Sequence, residues 1–320
     1  MSSSKLRGLL CAVAMALGIP AAQAADTIHL GKAQGAAWAF IIADVGVEQG
    51  IFAKHGLDVE IINLAGDAKV QQALTAGSID FGLGSGPGMA FTVKGSPGIA
   101  VAAFAGAPRN IAAMVNVDSP IKVVGDLKGK MIAVSTVGSL SEWLAKQMSI
   151  QEGWGPDGIK TVPLGAIDAS IAAMKAKQVD AVVLATEAGY ALEEKKDGRI
   201  IAGMEKYAPH FLTHVVFAQK ETVAKNPAQV ERFLKAFFAS IAFVKANKEQ
   251  TSVIAEKALH QTPGVARRTY DAEVPMFIDD GTFDPAAIDT LKRSFVDMGT
   301  LDKAPGNEAL FTTQFLPVKP

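Results

Sequence analysis

Residues 46–86 read GVEQGIFAKHGLDVEIINLAGDAKVQQALTAGSIDFGLGSG, and their rhythm decides the fold. Leu57 to Asn63 reads as a strand, Asp67 to Ala76 as a helix, and Ile79 to Leu83 as a strand. Upstream, Thr27 to Lys32 reads as a strand and Ala37 to Gln49 as a helix. Downstream, Pro87 to Lys94 is a short helix and Ile99 to Phe104 a strand. Strands alternating with helices over short loops predict a parallel sheet covered on both faces. Gly50, Gly56 and Gly77 fall at helix ends, where a left-handed residue is needed.

The pattern restarts after Asp118. Strands are expected at Met131 to Ser135, Thr161 to Leu164, Val179 to Leu184 and Ile200 to Ala202. The helices between them are Ser139 to Glu152, Ile167 to Lys177 and Thr186 to Lys196. This second α/β unit repeats the architecture of the first but not its sequence. In the last third, Asn226-Pro227 and Asp284-Pro285 are helix starts, with a capping residue followed by proline. Val230, Phe233, Leu234, Phe237, Ile241 and Val244 follow at helical spacing, as do Ile288, Leu291, Phe295 and Met298. These helices are expected to pack back on the first unit. Chain crossings near Ala112–Asn116 and Val215–Gln219 then make a hinge. One lobe comprises residues 25–110 with 218–320, and the other residues 111–217.

The N-terminus reads as a secretory signal over residues 1–24. Lys5 and Arg7 precede an apolar run of 11 residues from Leu9 to Ile19, then Pro20 and the small-x-small site Ala22-Gln23-Ala24. That run is too short to span a bilayer, which needs ~20 residues. Cys11 is the only cysteine and lies inside this segment, without the small residues that precede a lipidated cysteine. The expected mature chain is soluble and thiol-free. At 296 of 320 residues it suits about two domains. The net charge of −1 becomes −3 without Lys5 and Arg7, which argues against a nucleic-acid partner.

Enzyme signatures fail on inspection. Gly84-Ser85-Gly86-Pro87-Gly88 lacks the third glycine of a dinucleotide loop, because Met89 stands there. No serine has the spacing of a nucleophile elbow. Gly129-Lys130 lacks the flanking residues of a phosphate loop. His210 and His214 are four apart, but the second lies in an expected strand, so they share no helical face. No metal site, cofactor or catalytic residue is expected.

What remains are turns at the C-terminal ends of strands, where open α/β sheets bind ligands. The first lobe offers Gly35 to Trp38, Gly66-Asp67 and Ser85-Gly86. The second offers Ser135, Thr136, Gly138 and Ser139, then Asp168, then Thr186-Glu187. Free N–H groups at such turns suit anionic or carbonyl groups. Ser139 has two readings, a cap for its own helix or a ligand contact. Trp38 and Phe40 are either a flat apolar wall or core, and Arg109 either an anion partner or a hinge ion pair.

The segment Gly50-Ile51-Phe52 with Gly56-Leu57-Asp58-Val59, followed by Ala73-Leu74 and Gly77-Ser78-Ile79-Asp80, resembles the nitrate/sulfonate/taurine-type periplasmic binding proteins of ABC importers. That family is also grouped with pyrimidine-precursor-binding proteins. Ser119-Pro120-Ile121-Lys122, Asp126-Leu127-Lys128-Gly129-Lys130 and Gln178-Val179-Asp180-Ala181 extend the resemblance into the second lobe. The resemblance implies an α/β, two-lobed periplasmic binding protein fold of type II-like form, with two hinge crossings and the ligand cleft between lobes. It implies a monomeric carrier, not an enzyme, docking on a membrane permease with a cytoplasmic ATPase. Glu187 stands where many relatives have an aromatic-rich stretch. A carboxylate there opposes a simple anion and points to a ligand with a hydroxyl, amine or ring nitrogen. The alternatives are a biosynthetic enzyme on the same scaffold, of pyrimidine or menaquinone type, and a ligand-presenting sensor.

Overall fold

The computed structural model describes residues 25–319, so the expected signal at 1–24 lies outside the described residues. Ten strands form two five-stranded sheets. The first half supplies β1 (Asp26–Lys32), β2 (Leu57–Asn63), β3 (Phe81–Ser85) and β4 (Gly98–Ala105). Then come β5 (Ile111–Asn116), β6 (Met131–Val134), β7 (Lys160–Pro163), β8 (Ala181–Ala185), β9 (Gly198–Gly203) and β10 (His214–Gln219). The sheet orders are β2-β1-β3-β10-β4 and β7-β6-β8-β5-β9.

The two orders correspond position by position. In each five-stranded sheet four strands run in one direction, and the remaining one, fourth in the order, pairs antiparallel with both its neighbours. That antiparallel strand is always the one arriving from the other half of the chain: β5 follows β4, and β10 follows β9. The sheets are therefore mixed, not the purely parallel ones expected. The correction extends to the boundaries. The second crossing was expected at Val215–Gln219, with the second lobe ending at residue 217. β10 instead lies wholly inside the first sheet, between β3 and β4, so the chain returns before His214. Its residues His214 to Ala218 are all buried, which is how a central strand reads and a linker does not.

Helices cover the sheets. Before β5 they are α1 (Ile41–Glu48), α2 (Ile51–Lys54), α3 (Asp67–Ala76) and α4 (Ala90–Val93). The second sheet carries α5 (Leu140–Gln151), α6 (Ile167–Lys175) and α7 (Thr186–Glu194). The C-terminal part adds α8 (Lys220–Lys225), α9 (Pro227–Ala246), α10 (Lys248–Ala258), α11 (Pro263–Glu273) and α12 (Pro285–Asp297). The α9 stripe is buried as its spacing predicts, and Phe233 stacks on Phe81 of β3 with ring centroids 4.0 Å apart. Burying such a ring contributes ~1.5–3 kcal/mol, so α9 is bound firmly to the first sheet. Asp284 caps α12 by accepting from the Ala286 N–H, whereas Asn226 makes no side-chain cap at α9. Among the described residues no helix is long and apolar enough to cross a membrane.

Candidate ligand-binding site

Helices start after β1, β2 and β3 of the first sheet and after β6, β7 and β8 of the second, and the turns after β1 and β8 meet where Glu187 accepts from the Trp38 N–H. The turns at these helix starts separate into those whose polar groups are satisfied locally and those whose groups are not.

The turn after β3 is satisfied. The Asp67 carboxylate, at the start of α3, accepts from the Ser85 N–H at 2.8 Å and the Ser85 Oγ at 2.6 Å. Ser85 Oγ in turn accepts from the Gly88 N–H at 3.1 Å. Burial pushes the Asp67 pKa up, and the two bonds from Ser85 oppose that. Gly66 precedes α3 at φ +93° and donates its N–H to Ala33. Gly86 donates to the Thr213 carbonyl, and a Cβ there would sit 2.0 Å from the Leu212 oxygen. No alanine fits without moving the backbone that leads into β10.

The turn before α5 is also self-satisfied. Ser139 Oγ accepts from the Glu142 N–H at 3.3 Å, which is a helix cap. Ser141 Oγ lies 3.0 Å from the hydroxyls of both Ser135 and Ser139. The Thr136 N–H points at Ser139 Oγ at 3.4 Å. The Gly138 N–H, which would suit a ligand anion, donates to Glu142 Oε2 at 2.6 Å. Burial works against the charge on Glu142, but the Gly138 N–H, Lys146 and Thr161 outweigh it and hold the carboxyl below its usual range. An internal carboxylate thus fills this anion nest. Asp168, at the start of α6, is exposed.

The start of α7 differs. Thr186 Oγ1 donates to the Arg109 carbonyl at 3.0 Å, tying α7 to the crossing segment. Glu187 reaches the other sheet's side, where its Oε1 accepts from the Trp38 N–H at 3.4 Å. Its Oε2 is shielded from solvent and has no partner among the described residues. Facing it is Glu273, the last residue of α11, completely buried and with neither carboxylate oxygen satisfied by a donor among the described residues. A carboxylate at a helix C-terminus also meets the negative end of the helix dipole. Burial first, then the Glu187 charge, raise Glu273 well above the carboxylate range. Burial raises Glu187 less, because its own N–H, that of Trp38 and Glu273 favour the anion. Both carboxyls are therefore harder to ionise than a free glutamate, Glu273 the more so.

Trp38 closes one side of the pair. It is fully buried, stacked on Phe277 at 6.0 Å and edge-on to Tyr270, one turn before Glu273. Its Nε1 has no partner among the described residues. Nearby, Asn110 Nδ2 lies 3.2 Å from His214 Nε2, with Phe40 and Phe104 against the imidazole. Burial lowers the His214 pKa to about 4, so the ring is neutral. Phe40 is core, and Arg109 is exposed. A surface depression of about 200 Å³ includes Arg109, Thr186, Tyr190 and Ala272 in its wall. The larger depression, about 310 Å³ between α9 and the C-terminal segment, touches none of the expected site residues.

Sequence reasoning named Trp38 and Glu187 but missed Glu273, His214 and Asn110. For Glu273 a signal existed. Ala266, Thr269, Tyr270 and Glu273 lie at helical spacing, which puts a carboxylate on a buried stripe. Among the described residues no group of three or more His, Cys, Asp or Glu is placed to hold a metal ion.

Residues 39–251 match the NMT1/THI5-like family, well over half of the chain. The chain belongs to the NMT1/THI5-like family. A protein of Brucella abortus (strain 2308), named only as a candidate binding protein, is 27% identical over 226 residues, covering 69% of this chain and 68% of the relative. The periplasmic aliphatic sulphonate binding protein of Escherichia coli superposes with a TM-score of 0.76 at 20% identity, over 90% of this chain and 92% of that one. The alkanesulfonate-binding protein of Xanthomonas axonopodis, bound to MOPS, gives 0.72 at 18% identity, over 89% and 98%. The desulfurization enzyme DszB, with biphenyl-2-sulfinic acid, gives 0.69 at 13% identity, over 91% and 98%. This NMT1/THI5-like chain therefore has the fold of the periplasmic binding proteins, a fold that an enzyme also uses.

Proposed function

We propose that this chain is the extracytoplasmic solute-binding component of an importer. It captures a small organic solute between its two α/β units and delivers it to a membrane permease powered by a cytoplasmic ATPase. The observation that carries this reading is the junction itself. Trp38 of the first unit and Glu187 of the second meet there, around buried polar atoms that lack partners. Each unit receives one strand from the other half of the chain, so the two connections form a natural hinge. A solute touching both units stabilises their closed arrangement, by no more than its differential affinity for the closed state. The expected leader at 1–24 supports a periplasmic site of action, and family membership supports binding as the role.

The fold neighbours include an enzyme, so catalysis is the reading to test against. The test is a thermal-shift screen of residues 25–320 against small organic cations, anions and heterocycles, with product analysis of every hit. A ligand at 100-fold its Kd adds ~2.7 kcal/mol. A stabilising ligand recovered unchanged is the expected result. Conversion of that ligand to a product overturns the carrier reading.

A further inference from the structure

The carboxyl pair at the junction has a consequence for what the site accepts. Glu187 and Glu273 belong to helices on opposite sides of the junction, α7 and α11; Glu273 is fully buried, and Glu187 is half-buried with its Oε2 shielded from water. Neither has a cationic partner among the described residues. Two buried carboxylates cannot both be charged without a positive group between them. Among the described residues no such group faces them, and burial favours the neutral form of both. The charged and titratable groups on the surrounding elements do not supply one. On α7, Glu193 is held by Arg268 at 2.5 Å, and Arg268 lies over the Tyr190 ring at 4.1 Å. On α11, Asp271 is held by Lys248 at 2.7 Å. In β1, the buried Lys32 is neutralised by Asp44 at 2.8 Å. His214 is neutral and Arg109 exposed.

A second observation points to a ligand. The buried indole of Trp38 offers an unpartnered Nε1–H, while its own backbone N–H sits on Glu187. The ring packs on Tyr270, one turn from Glu273, so the open donor belongs to the same cluster. The depression of about 200 Å³ abuts the pair through Thr186 and Ala272, the residues preceding the two glutamates.

We infer that the site takes an organic cation, a protonated amine or amidinium, whose N–H groups satisfy the unpartnered carboxyl oxygens of Glu187 and Glu273. This deepens the solute-binding reading and rests on it. The N⁺–H donors bridge the two carboxylates, an acceptor on the ligand takes the Trp38 Nε1–H, and the rest occupies the depression beside Tyr190. Where the pair is protonated, that proton leaves to solvent as the cation enters. Affinity therefore rises with pH, toward one proton released per ligand bound, until the free pair is itself ionised. A sulfonate placed between the two carboxyls would be repelled by them, and Arg109 stands at the exposed wall of the depression.

The test uses matched probes by calorimetry on residues 25–320: benzylamine, benzamidine, 4-aminopyridine and putrescine against benzenesulfonate and ethanesulfonate. At least one cation should bind wild type, and neither sulfonate should. Glu187→Gln and Glu273→Gln should each weaken that cation by about thirtyfold or more, the loss expected when one partner of a buried charge pair is removed. Repeating the titration in buffers of different ionisation enthalpy should show proton release in wild type and none in Glu273→Gln. Melts of both variants at acid pH check that they fold. A sulfonate that binds, a panel in which no cation binds, or a cation whose affinity neither variant alters overturns the inference. Binding of a sulfonate leaves the carrier reading standing. A cation that binds but is converted to product preserves the ligand class and overturns the carrier.

Discussion

The starts of α5 and α7 occupy equivalent positions at the C-terminal ends of β6 and β8, yet they resolve their polar groups in opposite ways. At α5 the cap is Ser139, and the Gly138 N–H is already held by Glu142, three residues into the helix. At α7 the carboxylate turns away from its own helix toward Trp38 and Glu273, leaving buried oxygens without donors. A helix start is an anion site only while nothing in the chain fills it. The α5 turn has the composition of an anion nest and is internally occupied. The α7 turn carries the wrong charge for an anion and is incompletely satisfied. On the proposed reading the ligand sits at α7, and the α5 residues serve stability.

The strongest way to break this division is at the other closed turn. Gly86→Ala places a Cβ against the Leu212 carbonyl, and overpacking of that kind should destabilise the fold by about 3 kcal/mol in chemical denaturation. Glu142→Ala removes a carboxylate bonded to Gly138, Lys146 and Thr161, and should lose about 2 kcal/mol without changing solute affinity. Ser139→Ala should lose about 1 kcal/mol, again with affinity unchanged. A fall in affinity in either variant at α5 would mean that the contrast is misdrawn.

Glu273→Gln sharpens the other side, and its expected effect at acid pH is close to nil. Glu187 and Glu273 have folded pKa values raised above their unfolded ones. Their contribution is complete below the ordinary glutamate value and is lost as pH rises through the raised values. Wild type should therefore lose stability as pH rises above that range toward 8, and the Gln variant should lose less. Asp67 is raised too, and adds a decline common to both proteins. His214, lowered to about 4, contributes stability that is present at neutral pH and lost toward acid, also common to both. Paired melts across the range isolate the difference, and parallel curves would remove the carboxyl pair from the account.

Much of the fold was legible in the chain. Strand and helix order follow from apolar runs punctuated by glycine, and Gly50, Gly56 and Gly77 do adopt positive φ, between 64° and 70°. The direction of β5 and β10 was not legible. Ile111–Val115 and Val215–Ala218 are uniform apolar runs, and such runs carry no mark of parallel or antiparallel pairing. That is why both crossings were expected inside strands, Ala112–Asn116 in β5 of the second sheet and Val215–Gln219 in β10 of the first. Glu187 was found because it follows β8 directly. Glu273 comes from a C-terminal helix far along the chain, and only the packing of α11 on α7 brings the two together. For Ser139, composition admits both a cap and a ligand contact, and the choice turns on where Glu142 points.

The most direct test of closure around the junction uses fluorescence transfer. Cys11 is the only cysteine of the chain, so residues 25–320 accept a single introduced pair. Lys69→Cys on α3 and Ala169→Cys on α6 place exposed labels on the two units beside the junction. Adding the solute found by screening should raise transfer efficiency with the same midpoint as binding, and Glu187→Gln should shift both midpoints together. Saturating solute that leaves transfer unchanged, while calorimetry reports binding, would contradict capture between the two units.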